Sequence, residues 1–278
     1  MKKALKIFLL ASTSILIGCG GGGGSSTTSE SEQIGDKFIQ IFAVANKAVP
    51  VVTDREEFSF SKYDDINEYV DSLKQSIVCE KGSISIEVVD ENNSCGEYKV
   101  EADNCYINGK LAFDGQANIT LVNLDNLGCY MQKTEAITDV SLNKNILGED
   151  KKFTYKKGFV KTFDGDEYKY NITGNGVVVV DNVSYTLENF NNYIENDTFV
   201  YNGGSISNNE YKLNFTDLGE ETKVYEGSVL DDGFEIFIVN SKYYGIINDT
   251  SNKVYVHDKD DKLISKEYDF NKVYDVFE

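Results

Sequence analysis

Ser83-Ile84-Ser85-Ile86-Glu87-Val88 alternates apolar and polar residues without interruption. A period of two marks a strand with one face buried and the other wet. The alternation returns in Glu97 to Ala102, Asn118 to Val122, Tyr168 to Thr173 and Lys253-Val254-Tyr255-Val256-His257. Asn108-Gly109, Asp164-Gly165, Asn202-Gly203-Gly204 and Asp232-Gly233 punctuate these runs. Asn-Gly and Asp-Gly favour the positive φ angles of tight hairpin turns. No long helical stripe separates the runs, so the spacing predicts antiparallel pairing. Val177-Val178-Val179-Val180 and Phe234-Glu235-Ile236-Phe237-Ile238-Val239 read as strands buried on both faces. The expected fold is therefore mainly β with two N-terminal helices. Its antiparallel meander forms a strongly curved sheet or two packed layers.

The helices precede the strands. From Glu32 to Ala48, the residues Ile34, Phe38, Ile41, Phe42 and Ala45 recur at three-to-four spacing, and Pro50 ends the run. A second stripe, Ile66, Val70, Leu73 and Ile77, spans Asp64 to Ile77, with Asp64 or Asp65 as its cap. Both stripes are expected to pack on the following sheet. A weak repeat joins Thr120 to Leu127 with Thr186 to Tyr193, with a shorter echo in Lys212 to Leu218. It reads as a recurring hairpin unit rather than a solenoid of fixed period.

Cys79, Cys95, Cys105 and Cys129 make an even set, which an exported chain uses for two disulfides. Hairpin register selects among the three pairings. With Asp90 to Ser94 as a turn, Cys79 and Cys105 face each other at the open end of the hairpin. The next hairpin, turning at Asn108-Gly109, carries Cys95 towards Cys129. The expected bonds are Cys79–Cys105 and Cys95–Cys129. A zinc site needs thiols two to four residues apart, and a redox pair needs Cys-x-x-Cys; neither spacing occurs.

Other chemistries find little support. His257 is the single histidine, so a Ser-His-Asp or Cys-His centre would have to use it. It lies on a strand beside a turn, where a surface histidine is expected. Asp258 and Asp260 suit the first ligands of a calcium loop. Lys262 and Leu263 then occupy positions that need a ligand and a glycine, so a solvated turn is the preferred reading. No catalytic residue, metal site or cofactor is nominated. Two carboxylates at the right separation would suffice for glycoside hydrolysis, but 46 acids conceal any such pair. Asp90-Glu91-Asn92-Asn93-Ser94 matches an acidic N-glycosylation sequon of some bacteria and offers Asn92 as acceptor.

The start of the chain gives its address. Lys2, Lys3 and Lys6 precede an apolar run, Ile7 to Ile17, too short for a membrane span of about 20 residues. The run ends in Leu16-Ile17-Gly18-Cys19. This resembles the lipobox of bacterial lipoproteins. That resemblance implies cleavage between Gly18 and Cys19, acylation of Cys19 with diacylglycerol and a third chain, and anchoring in a bilayer. Gly20 in place of the inner-membrane Asp implies the outer membrane. Two or more acyl chains make a stable anchor at about 0.8 kcal/mol per buried methylene. The Gly/Ser-rich run after Cys19 is then a flexible tether. Four regions follow: a leader (1–18), anchor and tether (19–32), a helical segment (33–78) and a disulfide-containing β domain (79–278). Cys79-Glu80-Lys81-Gly82-Ser83, Asn104-Cys105 and Asn108-Gly109 also resemble a pattern in uncharacterised β-rich lipoproteins of proteobacteria, which implies no activity.

The chain carries a net charge of −19, and loss of the three leader lysines makes it more negative. Such a chain repels nucleic acid. The expected function is a non-enzymatic binding or scaffolding β domain for an envelope or extracellular protein partner. A lipid or lipoprotein carrier with an apolar cavity, and a carboxylate-based hydrolase, stand as alternatives.

Overall fold

The computed structural model describes residues 30–49, 65–92, 95–123, 129–165, 169–195, 198–214, 224–225, 234–236, 243–248, 253–258 and 262–273. Two helices, α1 (Glu30–Ala48) and α2 (Ile66–Ser76), come first. Eleven strands follow: β1 (Lys81–Asn92), β2 (Cys95–Ile107), β3 (Lys110–Asn123), β4 (Cys129–Ala136), β5 (Val140–Ile146), β6 (Glu149–Tyr155), β7 (Val160–Gly165), β8 (Lys169–Val180), β9 (Val183–Glu195), β10 (Thr198–Ser207) and β11 (Lys212–Asn214). With β12 (Val224–Tyr225) they form one antiparallel sheet, ordered β1-β2-β3-β4-β7-β8-β9-β10-β11 along its main path. A second sheet holds β13 (Phe234–Ile236), β14 (Tyr243–Asn248), β15 (Lys253–Asp258) and β16 (Tyr268–Asp269), followed by a one-turn helix, α3 (Phe270–Val273). The antiparallel, mainly β expectation holds, and α3 is an addition to it.

The apparent detour of β5 and β6 is one long hairpin broken in the middle. Lys133 pairs with Thr162 and Glu135 with Val160. Past the break, Val140 pairs with Tyr155 and Ile146 with Glu149, in unchanged register. Thus β4 and β5 occupy one strand position, β6 and β7 the next. The large sheet is a meander of eight successive long strand positions, with short strands at its far end.

The break belongs to a row of irregularities that crosses the sheet. Register shifts fall at Lys81/Ser83, Ala102/Cys105, Gly174/Gly176 and Tyr201/Gly203. The two flanks use the same device. On β2, Asn104 takes φ 48° and its N–H donates to Asp114 Oδ1 at 3.1 Å. On β9, Asn189 takes φ 49° and its N–H donates to Asn175 Oδ1 at 2.7 Å. A glycine from the outer neighbour backs each asparagine. A Cβ on Gly82 would lie 2.0 Å from the Asn104 carbonyl oxygen, and one on Gly204 would lie 2.0 Å from that of Asn189. Each bulge bends its strand and adds twist. Aligned across eight strand positions, they crease the sheet along one line.

This arrangement corrects two readings. Asn202-Gly203-Gly204 is not a hairpin turn but a bulge inside β10, because the residues that tolerate positive φ serve both purposes. Asp90 to Ser94 is not all turn: β1 continues to Asn92, which pairs with Cys95. Asn108-Gly109 does make the β2–β3 turn, with φ 51° and 73°. For Asp164-Gly165 the strand continues through Gly165, and Asp232-Gly233 lies outside the described residues. The weak repeat maps to β3, β9 and β11, and residues 124–127 and 215–218 of it lie outside the described residues.

The N-terminal helix departs from its expected role. One stripe was expected to face one sheet. Instead Phe38, Ile39, Ile41, Phe42, Ala43 and Val44 are all buried, around most of the helix circumference. A helix apolar all round has to be enclosed, and α1 lies between the two sheets. Towards the large sheet, Val49 sits against Gly174 of β8, where a Cβ would be 2.0 Å from its methyl carbon. Lys144 of β5 donates to the Lys47 carbonyl. Towards the small sheet, the Lys266 N–H donates to Asp36 Oδ1 at 2.8 Å. At the far end of the large sheet, Phe38 meets Tyr211 edge-on at 5.5 Å, and Lys37 pairs with Glu210 at 2.9 Å. The second helix is capped by Asp65, which accepts from the Glu68 N–H at 2.9 Å. It buries Ile66 and Val70, and Tyr69 packs edge-on against Tyr98 of β2.

Gly35 makes the closest approach. A Cβ there would stand 2.0 Å from the Ile264 carbonyl oxygen. Helix propensity favours alanine over glycine by about 1 kcal/mol. Gly35→Ala is nevertheless expected to destabilise by about 1–3 kcal/mol, because backbone rather than a flexible side chain must move. Thermal denaturation against the parent chain checks this, and a gain in stability would refute the close docking.

Candidate functional surface

Both predicted disulfides are present. Cys79 joins Cys105 with the Cα atoms 5.1 Å apart, and Cys95 joins Cys129 with the Cα atoms 5.6 Å apart. The second bond is informative because β3 lies between β2 and β4. Strands two positions apart in a flat sheet are separated by roughly 9.5 Å. The shorter distance means the chain closes over the end of β3, so the sheet curls there. Both bonds staple the β1–β4 half, and Cys95, Cys105 and Cys129 are buried.

The outer face of that half is a polar array on alternate strand positions. Glu97 of β2 accepts from Asn118 Nδ2 of β3 at 2.6 Å. Lys99 pairs with Glu101 at 2.7 Å, and Lys133 pairs with Glu135. Ile86, Tyr98, Ala117, Ile119 and Leu121 face the other way, into the core. The array follows from the alternation first read at Ser83–Val88. The large sheet thus offers a broad hydrated face, while its apolar face is closed by the helices.

Among the described residues, the shifted carboxylates all move in one direction. Lysine hydrogen bonds hold Glu101, Asp139, Asp150, Glu188 and Asp269 below the usual carboxylate range. Asp139 sits in the central break, where Lys156 Nζ approaches to 2.6 Å and the Lys157 N–H donates at 3.0 Å. A lowered folded pKa contributes stability above the unfolded value, which is lost as pH falls through the folded value. Partial neutralisation of a −19 chain also relieves self-repulsion. The midpoint of urea unfolding is therefore expected to rise slightly from pH 7 to 5 and to fall below pH 4. Asp139→Asn should lessen the acid limb. Added salt should shrink both trends, since these groups are exposed.

The remaining residues singled out in the sequence do not converge. Gly18 and Cys19 lie outside the described residues. Asn92 ends β1, and Asn93-Ser94 lie outside the described residues. His257 is a β15 strand residue opposite Tyr244. Asp258 ends that strand, and 259–261 lie outside the described residues. Among the described residues, no three His, Cys, Asp or Glu side chains are grouped to hold a metal ion. Two features escaped the sequence reading. The carboxamide oxygens Asn171 Oδ1 and Asn191 Oδ1 are buried without a hydrogen-bond partner, on β8 and β9. Val78, just before β1, and Val89, within it, have 69% and 56% of their surface exposed. Neither is marked by any motif, since both depend on which strands become neighbours.

None of the protein-family models, curated proteins or solved structures compared with the chain matches it. The reading of the surface rests on the chain's own chemistry.

Proposed function

We propose that this chain is an envelope lipoprotein, anchored through acylated Cys19 in the outer membrane, whose β domain binds or scaffolds a protein partner without catalysis. The observation that carries the reading is α1 itself. With Val49 just past its end, it fills the space on the apolar side of the large sheet, burying Phe38 and Phe42, and leaves the charged outer face for contact. A carrier needs that apolar space for its ligand. A hydrolase of the two-carboxylate kind needs an acid held above its usual range, whereas the shifted acids among the described residues are held below it by lysines.

The anchor is tested by fractionation. The wild-type chain should sediment with membranes, and Cys19→Ala should release it. Protease added to intact and lysed cells then assigns the face: digestion of intact cells indicates a surface partner, and survival until lysis indicates a periplasmic one. Lipid extraction and mass spectrometry of the purified protein address the carrier reading. One mole of bound lipid per mole, beyond the acyl chains, would replace the present proposal. Asn92 is proposed as a glycan acceptor at the hairpin tip, and Asn92→Gln should then abolish a heavier peptide form.

A further inference from the structure

We infer that β1 forms a symmetric contact between two copies of this chain, pairing antiparallel with its own counterpart. It is the terminal strand of the large sheet, and among the described residues β2 alone pairs with it. Among the described residues, the outer edge of Lys81–Asn92 therefore has no strand to take up its backbone donors and acceptors. Adding a strand to such an edge supplies main-chain hydrogen bonds, with side chains setting the register.

The sequence of the edge suits a second copy. It begins with Lys81 and carries Asp90 and Glu91 just before its last residue, so reversing one strand against the other places opposite charges at both ends. Side chains alternate, and the two inward faces coincide only in registers that place equivalent faces opposite each other. Centred on Ile86, the pairing sets Lys81 opposite Glu91 twice, Ile84 opposite Val88 twice, and Ser85 opposite Glu87. Shifting the centre to Glu87 would set that carboxylate against itself, which is unfavourable. The strand's irregularities are nearly symmetric about the same centre, at Lys81/Ser83 and Val88/Asp90.

The end groups are available. Lys81 lies over the Tyr106 ring, 5.2 Å from its centre, rather than against a carboxylate. Glu91 is held by Asn67 Nδ2 of α2 at 3.2 Å and retains acceptor capacity. Val89, more than half exposed, falls across the new junction from Ser83 and is covered there. Such a contact is isologous and closes at two subunits. It rests on the strand edge, not on the anchor, so it stands apart from the function proposed above.

Sedimentation equilibrium of the full-length lipidated protein in density-matched detergent tests the contact. The wild type should show a reversible monomer–dimer equilibrium. Lys81→Glu and Glu91→Lys should each raise the dissociation constant at least tenfold, and the double exchange should restore it to within about threefold. Circular dichroism and intact disulfides establish that each variant is folded. Glu91→Lys carries the test alone should Lys81→Glu misfold. A wild type that is monomeric across the concentration range overturns the inference. So does a dimer that both single exchanges leave unchanged, since another surface must then hold it.

Discussion

Phe42→Ala is expected to lower the free energy of unfolding by about 3–5 kcal/mol. Phe42 is fully buried on α1. Its loss leaves a cavity as well as forfeiting the transfer energy of the ring. The position decides how much of the cavity can collapse. On a surface helix, one neighbour can shift inward. Here α1 is held on the large-sheet side by Val49 against Gly174, and on the small-sheet side by Gly35 against Ile264. Neither layer can approach without disturbing the other, so the upper half of the range applies. Denaturant unfolding followed by tyrosine fluorescence measures the effect. A loss below 1 kcal/mol would mean that the space beside α1 is loosely filled, and the carrier reading would gain.

Removal of the inner disulfide comes next. Cys95→Ala/Cys129→Ala opens a link spanning 34 residues, and is expected to cost about 2–5 kcal/mol. Both bonds lie in the β1–β4 half, so reduction should act unevenly. Under mild reductant, amide protection is expected to fall first between Gly96 and Ala136, while β8 to β10 retain theirs. Hydrogen exchange read by mass spectrometry distinguishes this from uniform loss, which would indicate a single cooperative unit.

Much of this architecture was legible. Alternation at Ser83–Val88 gave both the strand and the face that meets α2, because burial on one side imposes that period. The cysteine pairing was legible from hairpin geometry, although the register differs from the one assumed. Cys79 lies beyond the last β1–β2 pair, Lys81 with Tyr106, and still meets Cys105. The boundary of α2 was legible because Asp65 caps it through a bond three residues away. The features that escaped are those defined by distant segments. Asn202-Gly203-Gly204 has the chemistry of a turn, and only the continuing pairing of β9 with β10 makes it a bulge. Leu147-Gly148 and Asp181-Asn182 turn the chain with positive φ at both residues, without the usual Asn-Gly pair. The residues around α1 are drawn from both sheets, so its own periodicity shows one stripe where the fold uses the whole surface. The unpartnered oxygens of Asn171 and Asn191 depend likewise on neighbours that no local pattern reveals.

The enclosure of α1 also sets an order on folding. The Lys266 N–H that meets Asp36 comes 230 residues later in the chain. During synthesis from the N-terminus, the apolar helix α1 emerges early and its second wall emerges last. Contacts so distant in sequence slow folding, because the chain entropy is lost before the contact forms. Until β15 and the segment around Ile264 arrive, one side of α1 remains uncovered. A holding chaperone would have its natural target in that uncovered side of α1, around Gly35 and Asp36.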